Sequence, residues 1–366
     1  MKIINVVGAR PNFIKIAPIH RAFSNRKGVQ SLIVHTGQHY DEKMSDIFFN
    51  QLELPKPHFY LGIGGGSHAF QKANVMLAFE KILIEQKPDL VLVVGDVNAT
   101  AACSITAIKL GIKTVHVEAG LRSGDRKMPE EINRVITDAI CNDLFVTEKS
   151  GIENLKSEGV ADDKIHFVGN VMIDSLVYFN EKAAKDKILT TLGLTPKNYA
   201  LMTMHRPSNV DNENDLSKII NIINNTCERI PVLFPMHPRT KNNLKKFNLW
   251  EKINSIKNLI ITGPQGYLQF LNVMNNAKLI ITDSGGIQEE TTFLKVPCIT
   301  FRSSTERPIT AEIGTNILVK SLNVEKVDFH VDNILNDKLK EGQIPPLWDG
   351  NAAIRIAEII VNKYKE

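Results

Sequence analysis

Acidic, basic and small residues cluster just after short apolar runs along this chain. The first run, residues 3–7, leads into Gly8-Ala9-Arg10-Pro11-Asn12-Phe13-Ile14-Lys15. A glycine there permits a tight turn, and a helix start carrying two cations suits a phosphate group. An ordinary turn with solvated cations explains the segment equally well. The run 90–94 leads into Gly95-Asp96-Val97-Asn98, and the run 114–117 into Glu118-Ala119-Gly120-Leu121-Arg122. Pro129 then opens a helix bearing Glu130, Glu131 and Arg134. Asp96, Glu118 and Glu130 gathered at one sheet edge would repel, and one would keep its proton near neutral pH, as acid–base work requires. Singly, each has a structural reading: first-turn acids offset a helix dipole, and Asp96 can cap a helix.

The second half repeats the theme. Met204-His205-Arg206-Pro207-Ser208-Asn209 follows an apolar run, which places His205 where proton transfer is common. His237 stands between Pro235 and Pro238 in what reads as a rigid turn. Thr282-Asp283-Ser284-Gly285-Gly286-Ile287-Gln288-Glu289-Glu290 is the sharpest signal. Gly285 and Gly286 let backbone approach an anion, Ser284 adds a hydroxyl, and a helix start adds partial positive charge. Glu290, one turn further, is placed for the sugar hydroxyls of a nucleotide. Phe301-Arg302-Ser303-Ser304-Thr305-Glu306-Arg307-Pro308 adds cations, and Tyr267 and Phe270 offer rings for a base or for the core.

Parallel strands must position these clusters. Continuous Val/Ile/Leu runs at 3–7, 31–35, 90–94, 114–117, 144–147 and 165–168 suit strands buried on both faces. Helical patterns such as 74–85 and 99–109 lie between them, which predicts a doubly wound parallel sheet. The alternation pauses near residue 170, then restarts at 200–204, 231–236, 259–262, 279–282, 298–301 and 316–319. The reading is α/β: two Rossmann-like doubly wound parallel-sheet domains. They are an N-terminal domain, 1–169, carrying the acids, and a C-terminal nucleotide-binding domain, 170–350, with a cleft between them. A last helix within 351–366 is expected to pack back on the first domain. Ligands of such sheets bind beyond the carboxyl ends of the strands, where the clusters fall.

Composition excludes several classes. The chain has 366 residues, enough for two or three domains, and 44 Lys+Arg against 40 Asp+Glu give a net charge of +4. That is no nucleic-acid signature. The four cysteines, Cys103, Cys141, Cys227 and Cys298, form no C-x-x-C pair, which argues against a zinc site or a disulfide framework. No stretch approaches the roughly 20 apolar residues that span a bilayer, and the N-terminal apolar run is too short for a signal peptide. A cytoplasmic protein without membrane partner is expected. The glycine patterns match neither a nicotinamide fingerprint nor a Walker A loop, so no cofactor is expected, and no metal.

These segments, in this order, resemble the non-hydrolysing UDP-N-acetylglucosamine 2-epimerases nearly end to end. The resemblance rests on GARPNFIKIAP (8–18), TGQHYD (36–41), GDVNAT (95–100), HVEAGLRSGDRKMPEEINR (116–134), GNVMIDSL (169–176), MHRPSN (204–209), GPQGYLQF (263–270), TDSGGIQEET (282–291), TERP (305–308) and PPLWDG (345–350). It implies a fold like that of the GT-B glycosyltransferases. It implies interconversion of UDP-N-acetylglucosamine and UDP-N-acetylmannosamine, for surface polysaccharide precursors, through UDP elimination to 2-acetamidoglucal and re-addition. Loss of UDP makes the ring oxocarbenium-like and acidifies the C2 proton, and stabilising the leaving diphosphate takes cations and amides.

The resemblance assigns acid–base work to Asp96, Glu118, Glu130 and His205. It assigns substrate contacts to Arg10, Lys15, Arg134, His237, Gln265, Phe270, Ser284, Gly285, Gly286, Glu290 and Arg307, with Phe270 by the uracil and Glu290 by the ribose. It also implies a homodimer, and allosteric activation by a second UDP-N-acetylglucosamine near Gln38 and His39. Two features pull elsewhere. The loop between Arg122 and Glu130 is one residue shorter than in many bacterial members. The GIGGGSH segment (62–68) also occurs in relatives acting on a diacetamido uronate. That related 2-epimerase, a GT-B glycosyltransferase and a non-catalytic nucleotide-sugar sensor are the alternatives.

Overall fold

Runs of Val, Ile and Leu become parallel strands, and the amphipathic stretches between them become helices laid over both faces of two sheets. The computed structural model describes residues 1–366 apart from 38–48, 50, 303, 340 and 366, and apart from the side chain of Arg10. The chain divides into two compact units, Met1–Tyr178 with Pro346–Glu366, and Phe179–Pro345. This division falls inside the helix Val171–Ala184, which continues unbroken past the pause in the apolar rhythm near residue 170. The last helix belongs with the first unit, and the segment from Pro346 joins it there.

The first unit holds seven strands: β1 (Lys2–Val7), β2 (Gln30–His35), β3 (Phe59–Tyr60), β4 (Leu90–Val94), β5 (Lys113–Ala119), β6 (Asp143–Val146) and β7 (Ile165–Phe167). Their order is β3-β2-β1-β4-β5-β6-β7, and every pairing is parallel. The chain winds outward from β1 in both directions, so the gap beyond the carboxyl ends of β1 and β4 is the place where such sheets take ligands. β3, two residues long, shows no sequence period. The helix His68–Gln86 covers the sheet with Val75, Phe79 and Leu83. Burying one side chain of this size stabilises by about 2 kcal/mol. The helix begins six residues before the expected 74, because the Ser67 hydroxyl accepts the Phe70 N–H at 3.2 Å and caps it.

Pro18 sits inside the helix Arg10–Ser24 and lacks the N–H that would reach the Ile14 carbonyl. The Ser175 hydroxyl donates to that carbonyl instead, at 2.5 Å. The helix Ala352–Tyr364 packs on Arg10–Ser24, and its Ala353, Ile356 and Ile360 are buried. Its start is fixed by Asp174, whose carboxylate accepts the N–H groups of Ala352 and Ala353 at 3.1 and 2.6 Å. Trp348, fully buried, donates its indole N–H to the Thr147 carbonyl at 3.0 Å.

The second unit holds β8 (Ala200–Thr203), β9 (Val232–Pro235), β10 (Leu259–Thr262), β11 (Leu279–Thr282), β12 (Cys298–Phe301) and β13 (Asn316–Val319). Their order, β10-β9-β8-β11-β12-β13, repeats the doubly wound pattern with a switch between β8 and β11. Ile219 and Ile223 of the helix Glu213–Cys227 pack with Met202 and Phe234 in its core. The four cysteines are buried and free. Among the described residues no helix is long and apolar enough to cross a membrane, and no group of His, Cys, Asp or Glu is arranged to hold a metal ion.

Candidate functional site

In the first unit, polar groups gather at the β1/β4 switch. The Asn12 amide donates to the Val94 carbonyl at 3.0 Å, and its oxygen accepts the Ala9 N–H at 2.9 Å, which ties the turn after β1 to the end of β4. Lys15, on the next turn of the same helix, forms a buried ion pair with Glu118. A Cβ placed on Gly95 would lie 3.3 Å from Glu118 Oε2, 3.3 Å from Lys15 Nζ and 3.4 Å from Asn12 Nδ2. Those three side chains therefore converge over Gly95, where a larger residue would intrude.

Glu118 reaches this point through an irregularity. The β5–β6 ladder shifts register between Val117 and Ala119, and Glu118 has a φ of +71°. A bulge re-aims a side chain at a strand end. A non-glycine residue in the left-handed region costs on the order of 1 kcal/mol and persists where its surroundings hold it.

Asp96 is not a helix cap: Val97 occupies that position on the helix Asn98–Lys109. The Asp96 carboxylate pairs instead with Arg134 at 2.5 Å. Arg134 also bonds Glu131 at 2.9 Å, so this cation is committed to two carboxylates. Glu130 lies half-buried on the first turn of the helix Pro129–Ile140. Its neighbour Glu131 does more than offset a dipole. It accepts the N–H groups of Ser123 and Gly124 and so holds the loop before the helix. Burial opposes its charge, but these bonds and Arg134 hold the carboxyl below the usual range. Arg10 opens the helix Arg10–Ser24; its side chain, with Gln38 and His39, lies outside the described residues.

In the second unit, the carboxyl ends of β8, β9, β10 and β11 surround a cavity of about 200 Å³. Thr203, His205, His237, Gln265, Phe270 and Ser284 line it. His205 is held by Asp283, whose Oδ1 lies 3.0 Å from His205 Nδ1. Asp283 is fully buried and also accepts the N–H groups of His205 and Arg206, the latter at 2.8 Å, and the Asn209 amide at 3.1 Å. Burial works against its charge, but His205 and these N–H groups lower the carboxyl below its usual range. The imidazole is thus oriented through Nδ1 and leaves Nε2 for exchange with a ligand.

The His237 ring lies 5.6 Å from that of His205. Its Nδ1 accepts the Arg239 N–H at 3.1 Å and caps the helix Pro238–Lys246. Phe270 faces the cavity, whereas Tyr267 is core, packed edge-on to Phe179 with ring centroids 6.0 Å apart.

Ser284 caps the helix Gly285–Leu294 by position, but its hydroxyl makes no capping bond. A Cβ on Gly285 would lie 3.0 Å from Arg302 and 3.5 Å from Arg307, so two guanidinium groups lie under this turn. Each has a buried acid: Arg302 pairs with Glu306 at 2.7 Å, and Arg307 with Glu289 at 2.8 Å. Arg307 is therefore held inside the protein as well as near the turn. Glu290, next to Glu289, is buried; burial first, then the Glu289 charge, pushes its carboxyl up to about 8. Sequence reasoning did not pick out Asp283 as the partner of His205, nor the ties made by Asn12 and Glu131; Arg302 it read only as one of the cations after β12. The TDSGG run contained the first, but a carboxylate after a strand does not say which loop it binds.

The UDP-N-acetylglucosamine 2-epimerase model matches residues 21–361. The chain belongs to that family. Within the UDP-N-acetylglucosamine 2-epimerases, a homologue from Methanococcus maripaludis is 47% identical over 99% of this chain and 100% of its own length. The Methanocaldococcus jannaschii enzyme, solved with UDP-GlcNAc and UDP, superposes with a TM-score of 0.90 at 44% identity, covering 99% of this chain and 100% of that one. A UDP-2,3-diacetamido-2,3-dideoxy-D-glucuronate 2-epimerase from Pseudomonas aeruginosa is 37% identical over 98% of this chain and 99% of its own length.

Proposed function

We propose that this epimerase-family chain interconverts UDP-N-acetylglucosamine and UDP-N-acetylmannosamine without releasing free sugar. The C1–O bond breaks, UDP leaves with the electron pair, and C2 gives up its proton to form 2-acetamidoglucal. Re-addition of UDP, with a proton delivered to the opposite face of C2, completes the change. Ser284, the Gly285 and Gly286 amides and the nearby guanidinium groups stabilise the departing diphosphate. Phe270 and Gln265 take the uracil, and Glu290 the ribose. His205 exchanges protons on the substrate, and Asp96, Glu118 and Glu130, with Lys15 beside Glu118, form the other acid–base set. Arg10, Arg134, His237 and Arg307 complete the substrate contacts.

One observation carries this reading. A single turn, Asp283-Ser284-Gly285, both orients His205 and opens the anion-type helix start at one cavity. This arrangement supports a reading in which proton transfer and diphosphate departure are coupled. The test is turnover of UDP-N-acetylglucosamine in deuterated water. Deuterium at C2 of both epimers is expected, with no free N-acetylmannosamine. An unlabelled C2 after prolonged turnover refutes the proposal. The Pseudomonas relative motivates a second reading, the diacetamido uronate substrate, so the same assay is run on both UDP-sugars.

The proposal includes a homodimer. Its support is the helix His68–Gln86, which leaves Phe70, Leu77 and Ile84 exposed at seven-residue spacing. Such an apolar stripe suits burial against a second copy. Sedimentation of wild type and Leu77→Lys distinguishes dimer from monomer.

A further inference from the structure

We propose that His116 and Asp138 are positioning residues that hold Asp96 and Glu118, two of the acid–base groups assigned above. His116 lies on β5, with its side chain fully buried. Its Nε2 donates to the Gly95 carbonyl at 2.8 Å, and its Nδ1 faces Asp138 Oδ1 at 2.6 Å. The other oxygen of Asp138 accepts the Gly120 N–H at 3.0 Å and an Arg122 N–H at 2.7 Å. Gly95 immediately precedes Asp96, and Gly120 follows Glu118 by two residues. One buried pair therefore braces the backbone behind both carboxylates, from two strands and the helix Pro129–Ile140.

The bracing answers a physical need. The left-handed backbone of Glu118 holds only if its flanks are fixed. On one side, the Val117 carbonyl accepts the Gly95 N–H at 3.1 Å. On the other, Gly120 is held by Asp138 and by the Asn154 amide, which donates to its carbonyl at 2.9 Å. Arg122, itself paired with Glu158 at 2.7 Å, neutralises Asp138 from the loop that leads toward Glu130. A network serving the core alone has no reason to end on the peptides flanking the two acids.

The inference rests on the epimerase reading, and its test separates the two. Wild type, Asp138→Asn, His116→Gln and His116→Phe are compared in the C2 deuterium-exchange assay, with UDP binding and thermal unfolding measured alongside. Asp143→Asn is the control: this buried acid of the same unit binds His166 and Lys363, away from Gly95 and Gly120. A slight misplacement of an acid–base group lowers kcat by about 10–100-fold while KM and UDP affinity change by less than about threefold. That split is expected for Asp138→Asn. His116→Gln, which keeps an N–H donor, should retain more activity than His116→Phe. Asp143→Asn should lose stability but keep kcat.

Wild-type kcat in Asp138→Asn, an equal kcat loss in Asp143→Asn, or equal activity of the two His116 variants overturns the inference. If Asp138→Asn does not fold, Arg122→Gln, at a partly buried partner, is judged by the same criteria. No exchange by the wild type fails the epimerase reading; exchange with unaffected variants fails the inference alone.

Discussion

Replacing Glu290 by Gln tests how the second unit keeps a carboxyl in a dry environment. Burial, then the neighbouring charge of Glu289, raises this carboxyl from 4.5 to about 8. Its folded value thus lies above its unfolded one. The group contributes its full stability below the unfolded value, and that contribution is lost as pH rises toward the folded one. Between the two, the unfolded chain binds fewer protons than the folded chain, so stability falls by about 1.4 kcal/mol per pH unit. From about pH 5.5 to about pH 7.5 the loss from this one group is about 3 kcal/mol. Glu290→Gln keeps the shape, has no proton to lose, and removes the slope. Urea unfolding of both proteins across this range gives the measurement, and other titrating groups cancel in the difference. The variant should gain on the wild type by about 3 kcal/mol over the range. A constant difference refutes the argument, because it means the folded protein holds Glu290 ionised across this range despite its burial and the Glu289 charge.

Two further outcomes follow from the geometry. His205→Ala removes the imidazole that Asp283 orients; kcat for C2 exchange should fall by about 10²–10⁴-fold with UDP binding retained, and unchanged exchange would displace His205 from the site. Gly120→Ala introduces a Cβ 2.4 Å from the Gly151 carbonyl at a φ of +78°. It should destabilise the protein by about 2 kcal/mol or more, read from the urea midpoint, and an unshifted midpoint contradicts the close approach.

The sheets were legible because strands buried on both faces carry unbroken Val/Ile/Leu runs, as β4 and β11 do. β3 was not, since two residues carry no period. Switch-point residues such as Lys15, Glu118, His205 and Ser284 stood out because polar residues after apolar runs have few structural reasons to be there. Their partners did not. Asp138 and Asp283 acquire meaning only when the fold brings distant loops to them, and no spacing along the chain encodes that. Asp96 looked like a cap until Arg134, a helix away, claimed it. Residue type alone did not separate Phe270 from Tyr267; the packing does, with Tyr267 against Phe179 and Phe270 at the cavity.

The closing helix Ala352–Tyr364 has a consequence for biogenesis. Because residues 346–366 complete the first unit, the whole of the second unit must be synthesised before the first can bury the apolar side of Arg10–Ser24. The second unit is contiguous in sequence and can finish earlier during synthesis. A nascent chain stalled before residue 346 should therefore expose a sticky surface on its older half, and chaperone demand should centre there.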